Sequence, residues 1–191
     1  MNSNWAGLHG WTICTAAGRW LAARGSLSAR LAASGDVFSV QVLRQGRLPL
    51  TVDEAQALGV TQGRCGYVRE VLLKVDGVSV VFARSVTAHA HSLGAWRSVR
   101  GLGARPLADV LFRRSGITRL PLQFRQFKPN TALPRQVQQV CPGAPRCLPA
   151  RRSVFLRQQA PLLVMEVFLA PEASWGGPVA RWQSIAQKVK P

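Results

Sequence analysis

The sequence predicts one domain built on β-hairpins, with short helices between them. Three observations carry this. Gly66–Val86 holds two β-rich runs around Asp76-Gly77. Asp-Gly between apolar strands is the strongest short-range hairpin signal, because both central turn residues need positive φ. A second pair of runs, Arg152–Arg157 and Pro161–Phe168, repeats the arrangement with a turn near Gln158 to Pro161. Finally, 191 residues with 47% hydrophobic side chains fill one core and fall short of two.

Residues 1–19 read as an N-terminal arm with Trp5 and Trp11 as anchors. From Trp20 to Ala33 the spacing of Trp20, Leu21, Leu27 and Leu31 is helical, interrupted at Gly25-Ser26. Ser26 or Ser28 caps the second piece, and Gly35 ends it as a left-handed residue. Val37–Arg44 alternates as a strand, with Phe38, Val40 and Val42 on one face, and Gly46 turns the chain. Thr51 or Asp53 then caps a short helix through Leu58, with Asp53 and Glu54 suited to its positive end. Gly59 and Gly63 lead into the central hairpin.

A polar loop with His89 and His91 follows, then a short amphipathic turn within Leu93–Val99. Gly103–Phe112 is a loop feeding a helix. Pro106 suits the first turn, where its missing N–H costs nothing. Gly116 closes that helix, and Ile117–Phe124 reads as a further strand. Lys128–Ala150 carries Pro129, Pro134, Pro142, Pro145 and Pro149, which forbid a long regular element. It reads as an inserted loop. Leu162–Leu169 is apolar on both faces, so both are covered. Pro171 ends it. Residues 172–191 form a basic tail, with Val179, Trp182, Ile185 and Val189 at the spacing of an amphipathic helix.

The net charge is +17, but the arginines are scattered. No helix-turn-helix, RNP-like or zinc-finger pattern accompanies them. The excess is read as a solvated basic surface, and no nucleic-acid partner is expected. Such a surface draws small dianions toward a site. No apolar run approaches the roughly 18 residues of a membrane helix, and residues 1–20 lack the apolar stretch of a secretory signal. A cytoplasmic location is expected, and with it free thiols at Cys14, Cys65, Cys141 and Cys147. Neither Cys141 with Cys147 nor His89 with His91 has the second ligand pair of a metal site, so no metal is expected.

Three features stand together. Arg69 shares a strand face with Tyr67, Val71 and Leu73; Glu166 is the single charge in Leu162–Leu169; a helix starts at Pro106-Leu107. Charges in such surroundings are expensive unless paired. Two arrangements satisfy them. One is an internal Arg69–Glu166 ion pair, since structural pairs and functional sites perturb charges alike. The other is a closed pocket. There Arg69 and the free amides of the helix start hold a carboxylate, and Glu166 meets a hydroxyl or exchanges a proton.

The ordered segments resemble bacterial chorismate pyruvate-lyase. Gly66-Tyr-Val-Arg-Glu-Val-Leu-Leu-Lys-Val-Asp-Gly with Ala83-Arg-Ser-Val is similar to that family's central hairpin. Ser26-Leu-Ser-Ala-Arg-Leu and Phe38-Ser-Val-Gln-Val-Leu-Arg-Gln-Gly precede it. Gly103-Ala-Arg-Pro-Leu-Ala-Asp-Val-Leu-Phe, Thr118-Arg119, Arg151-Arg-Ser and Leu162-Leu-Val-Met-Glu-Val-Phe-Leu-Ala-Pro follow. The match covers roughly Trp20 to Pro171, which sets the domain at residues 20–171.

The resemblance implies a single α+β domain: an antiparallel β-sheet with helical flaps covering an enclosed site. It implies conversion of chorismate to 4-hydroxybenzoate and pyruvate, the entry step to ubiquinone, with no metal or organic cofactor. A monomer is expected. Arg69 and the backbone amide of Leu107 would bind the ring carboxylate. Glu166 would face the ring hydroxyl and the bond being broken. Leu27, where the family pattern often has Met, would line the pocket from its flap at nearly constant volume. Arg84 either holds the second carboxylate or braces the sheet, and bracing is favoured. The loop at residues 128–150 and the tail after Pro171 depart from the family pattern without touching the matched segments.

Two other classes compete. A non-catalytic effector-sensing domain shares the fold, which resembles the effector-binding domains of some bacterial transcription regulators. Met1–Arg19 is too short for the DNA-binding domain such a regulator would carry, and Arg69 together with Glu166 favours the enzyme. A basic nucleic-acid binder lacks any readout element.

Overall fold

The computed structural model describes residues 5–7, 16–112, 115–129 and 131–176. Their centre is one antiparallel sheet. It comprises β1 (Phe38–Pro49), β2 (Cys65–Val75), β3 (Val78–Ala88), β4 (Ile117–Arg119), β5 (Gln123–Phe127), β6 (Leu148–Arg157) and β7 (Ala160–Phe168). The order is β1-β2-β3-β7-β6, with β4 and β5 lying one after the other along the outer edge of β6.

Both expected hairpins form. Asp76 (φ 50°) and Gly77 (φ 80°) make the first turn, and the Asp76 side chain accepts a hydrogen bond from the Val37 N–H at 2.8 Å. The second turn places Gln158 (φ 50°) and Gln159 (φ 61°) in the same left-handed region without a glycine. A β-bulge between Leu73 and Lys74 shifts the β2–β3 register, so Glu70 lies opposite Arg84 and Arg69 opposite Ser85. Directly opposed residues share a face. The bulge therefore puts Arg69 and Arg84 on opposite sides of the sheet.

Helices cover both sides. On the Arg69 side, α1 (Ala16–Ala22) and α2 (Leu27–Ala32) bury Leu21, Leu27 and Leu31 against Val71, Leu73 and Phe168. Trp175, from a closing 3-10 turn at Glu172–Gly176, joins them at 4.7 Å from Phe168. On the same side, Trp96, Val99, Val110 and Leu111 pack on Tyr67, Phe155 and Leu162. On the reverse side, α3 (Val52–Leu58) packs Ala55 and Leu58 on Val68, Val86 and Leu163. Thr51 and Glu54 form its capping box, and left-handed Gly59 ends it.

Several expectations change. Gly46, at φ 148°, does not end β1, and the strand runs on to Pro49. Gly35 is not the α2 cap, a place taken by Ala33. Its role is close approach: a Cβ there would stand 2.1 Å from Val75 Cγ1. His89 and His91 belong to α4 (His89–Leu93) and are half-buried rather than exposed in a loop. The next short helix is α5 (Arg97–Arg100). Ile117–Phe124 is broken at Leu120–Leu122, where Pro121 cannot donate to a ladder.

Lys128–Ala150 is not a loop. It contains α7 (Ala132–Val140), whose Pro134 sits in the first turn, where no N–H is required. Val137 and Leu148 are fully buried beside Phe127 and Phe82. The arm is anchored at Trp5, whose indole N–H donates to Asp53 Oδ2 at 3.1 Å. Trp11 and the expected tail helix lie outside the described residues.

Candidate active site

Arg69 projects from β2 and is 3% exposed. Its Nη2 donates to the carbonyls of Gly103 (2.9 Å) and Arg105 (3.0 Å), which fix the side chain from the loop ahead of α6 (Ala108–Leu111). Its Nε is buried with no partner among the described residues. No carboxylate among the described residues pairs with it. Burial pulls its pKa below the ordinary guanidinium value, with Tyr67 opposing.

Glu166 projects from β7 on the same side of the sheet, and its partner is Arg151. The β6–β7 register places the two directly opposite, with Arg151 Nε donating to Glu166 Oε2 at 2.5 Å. Arg151 is 1% exposed. Its Nη1 donates to the carbonyls of Trp20 (3.1 Å), Leu21 (3.1 Å) and Ala23 (2.8 Å), closing the C-terminal end of α1. The direct Arg69–Glu166 ion pair is thus absent. Glu166 Oε1 has no hydrogen-bond partner among the described residues.

Arg69 and Glu166 line one cavity of about 50 Å³. Its floor is the sheet: Val71, Ser85, Val164 and Phe155. Two flaps roof it. One is Gly25–Ser28 at the start of α2, where Ser26 caps the helix by accepting from the Ala29 N–H at 3.1 Å. The other is Pro106–Ala108 at the start of α6. The flap helices α2 and α6 touch one another. Leu27 and Leu107 both line the cavity. Pro106 and Leu107 carbonyls accept from the Asp109 and Val110 amides, while the Leu107 N–H has no partner among the described residues. An apolar cavity with a few convergent polar groups is the usual form of a small-molecule site.

The structure adds Arg119, from β4, to this wall. It appeared in the sequence only as part of the Thr118-Arg119 segment, and nothing there shows that β4 pairs with β6. Arg84 is elsewhere. On the reverse face it holds Glu54 through Nε (2.5 Å) and Nη2 (2.9 Å), and Glu70 through Nη1 (2.5 Å). It joins α3 to the sheet beneath a second cavity of about 570 Å³. Among the described residues, no group of His, Cys, Asp or Glu is arranged to hold a metal, and Cys65, Cys141 and Cys147 are free thiols. No helix among them is long and apolar enough to cross a membrane.

Residues 3–175 match the family described as chorismate lyase. The chain belongs to the chorismate lyase family. It is 63% identical over 164 residues to a protein of Albidiferax ferrireducens named probable chorismate pyruvate-lyase, covering 83% of each chain. It is 42% identical to probable chorismate pyruvate-lyase 1 of Pseudomonas fluorescens, covering 78% of this chain and 80% of that one. Among solved structures, the effector domain of PhnF from Mycobacterium smegmatis superposes with a TM-score of 0.55 at 20% identity, covering 76% of this chain and 89% of that one. The ligand-binding domain of a putative GntR-family transcriptional regulator from Bordetella bronchiseptica gives 0.53 at 13% identity, covering 72% and 87%. At such identities these two likenesses establish a common fold and nothing more. The chorismate lyase family match spans Leu27, Arg69, Leu107 and Glu166, all of which line the cavity.

Proposed function

We propose that this chain converts chorismate to 4-hydroxybenzoate and pyruvate in the cavity between Arg69 and Glu166, supplying the first step of ubiquinone biosynthesis. One observation supports this most: a buried guanidinium with, among the described residues, an unpartnered Nε and no carboxylate partner opens on the same space as Glu166. A cation in that condition is a seat for an anionic ligand. The ring carboxylate sits on Arg69 and the Leu107 amide. Leu27 closes over the ring, and substrate enters as the α2 and α6 flaps part. The ring hydroxyl lies toward Glu166.

The reaction breaks the ether C–O bond and removes a ring proton, so that the ring becomes aromatic. Aromatisation supplies the driving force, and the protein supplies orientation and proton movement. Glu166, held at Oε2 by Arg151, takes the ring proton through Oε1 as general base. That proton ends on the enolpyruvyl methylene carbon, and the group leaves as pyruvate. The net charge of +17 draws the dianionic substrate in. In this reading the working state is a cytoplasmic monomer with no nucleic-acid partner. The test is incubation of the purified full chain with chorismate in the presence of a chelator. 4-Hydroxybenzoate is expected; an unchanged chorismate pool refutes the proposal.

A further inference from the structure

The product named above carries one carboxylate and the substrate two, yet the cavity carries more cation than one carboxylate needs. Among the described residues, Arg69, Arg119 and Arg151 stand at or just behind its wall against Glu166 alone, three guanidinium groups to one carboxylate. Arg151 is held by Glu166 through Nε and by three backbone carbonyls through Nη1. Arg119 is held by less. Its Nη1 reaches the Gly25 carbonyl at 3.2 Å, on the first flap, and its guanidinium lies 5.3 Å from the centre of the Phe155 ring. Its Nε is buried with no partner among the described residues, the same condition as Arg69. Burial lowers its pKa and the Arg151 charge adds to that, with Glu166 opposing. Arg119 is thus a cation with too little anion around it, anchored to the flap that closes the cavity.

We infer that Arg119 binds the enolpyruvyl carboxylate of the substrate, so that Arg69 and Arg119 grip its two ends across Glu166. This rests on the chorismate reading of the site. It gives the two arginines different ligands. Arg69 serves substrate and aromatic product alike. Arg119 serves the substrate and the departing three-carbon acid, and the aromatic product leaves it empty. Its bond to Gly25 also couples the second carboxylate to closure of the α2 flap.

The experiment compares Arg119→Gln with Arg69→Gln in the full chain, measuring KM for chorismate and, by calorimetry, Kd for 4-hydroxybenzoate. Loss of one charge-assisted hydrogen bond raises KM by on the order of tenfold or more. Arg119→Gln is expected to raise the chorismate KM by that amount and to leave the 4-hydroxybenzoate Kd within about threefold of wild type. Arg69→Gln is expected to weaken both. Arg119→Lys keeps the charge and is expected to recover most of the chorismate affinity. Normal 4-hydroxybenzoate binding also shows that each variant is folded. If Arg119→Gln weakens both ligands alike, or neither, or if Arg119→Lys loses 4-hydroxybenzoate, the assignment is overturned and Arg119 only holds the flap. A wild-type chain that binds 4-hydroxybenzoate yet leaves chorismate unchanged would instead overturn the functional reading, and this inference with it.

Discussion

Replacing Arg151 by methionine tests the architecture beneath the site. Arg151 is 1% exposed and Glu166 keeps only 16% of its side-chain surface. Removing one partner of a buried ion pair strands the other, at a cost of about 3–5 kcal/mol. The carbonyls of Trp20, Leu21 and Ala23 lose their shared donor in the same change. Against a total stability of about 5–15 kcal/mol for a domain, the loss is large. Equilibrium denaturation in guanidinium chloride reads it as a lower midpoint at an unchanged slope. The double variant Arg151→Met/Glu166→Leu removes the stranded carboxylate but not the α1 deficit. It is expected to regain about 2 kcal/mol over the single variant. A single-variant loss below about 1 kcal/mol, or a double variant no more stable than the single, would refute the view that this pair is buried and coupled.

Glu166→Gln keeps the shape of the side chain and an acceptor for Arg151; kcat is expected to fall by about 10²–10⁴, and a near-normal kcat removes Glu166 from the proton path. Burial favours the neutral form of Glu70, but hydrogen bonds from Arg84, Gln136 and Arg44 outweigh it and hold its pKa below the ordinary carboxylate range. A carboxylate with a depressed folded pKa contributes stability above its unfolded pKa and loses it as pH falls through the folded value. Glu70→Gln should therefore lose less stability than wild type between about pH 5 and pH 2; parallel acid titrations of the two would contradict this. Replacing residues 131–146 with a short Gly-Ser linker removes α7 and buried Val137. The loss expected is at least the roughly 1–3 kcal/mol of one buried side chain, read as a lower Tm. An unchanged Tm would show the segment to be dispensable.

Much of the fold is written in local signals. Asp76-Gly77, the helix cap at Thr51 and Gly59 each act within a few residues; the turn forms as expected, and of the two candidate caps Thr51 rather than Asp53 takes the place. What hides is what depends on register. Counting outward from Asp76-Gly77 would set Arg69 against Arg84; the bulge at Leu73/Lys74 moves the pairing by one and sends Arg84 to Glu54 and Glu70 instead. The Arg151–Glu166 pair was within reach, because counting back from the Gln158-Gln159 turn along both arms brings those two together. The expected strand began at Arg152, four residues after the start of β6 at Leu148, and so left Arg151 out. Arg119 gave no signal, since its place depends on β4 joining β6 across 36 to 40 residues. The helix in Lys128–Ala150 was obscured by five prolines, though Pro134 falls where a helix tolerates one. The site itself was half legible. Arg69 and Glu166 stood out as charges in apolar strands, while the missing partner of one and the real partner of the other emerge only from the packed sheet.

The most direct measurement is a crystal structure of the chain grown with 4-hydroxybenzoate. The ring is expected between β2 and β7, its carboxylate on Arg69 and the Leu107 N–H and its hydroxyl toward Glu166. Product seated on the reverse face beside Arg84, or excluded from the cavity altogether, would contradict the assignment of the site.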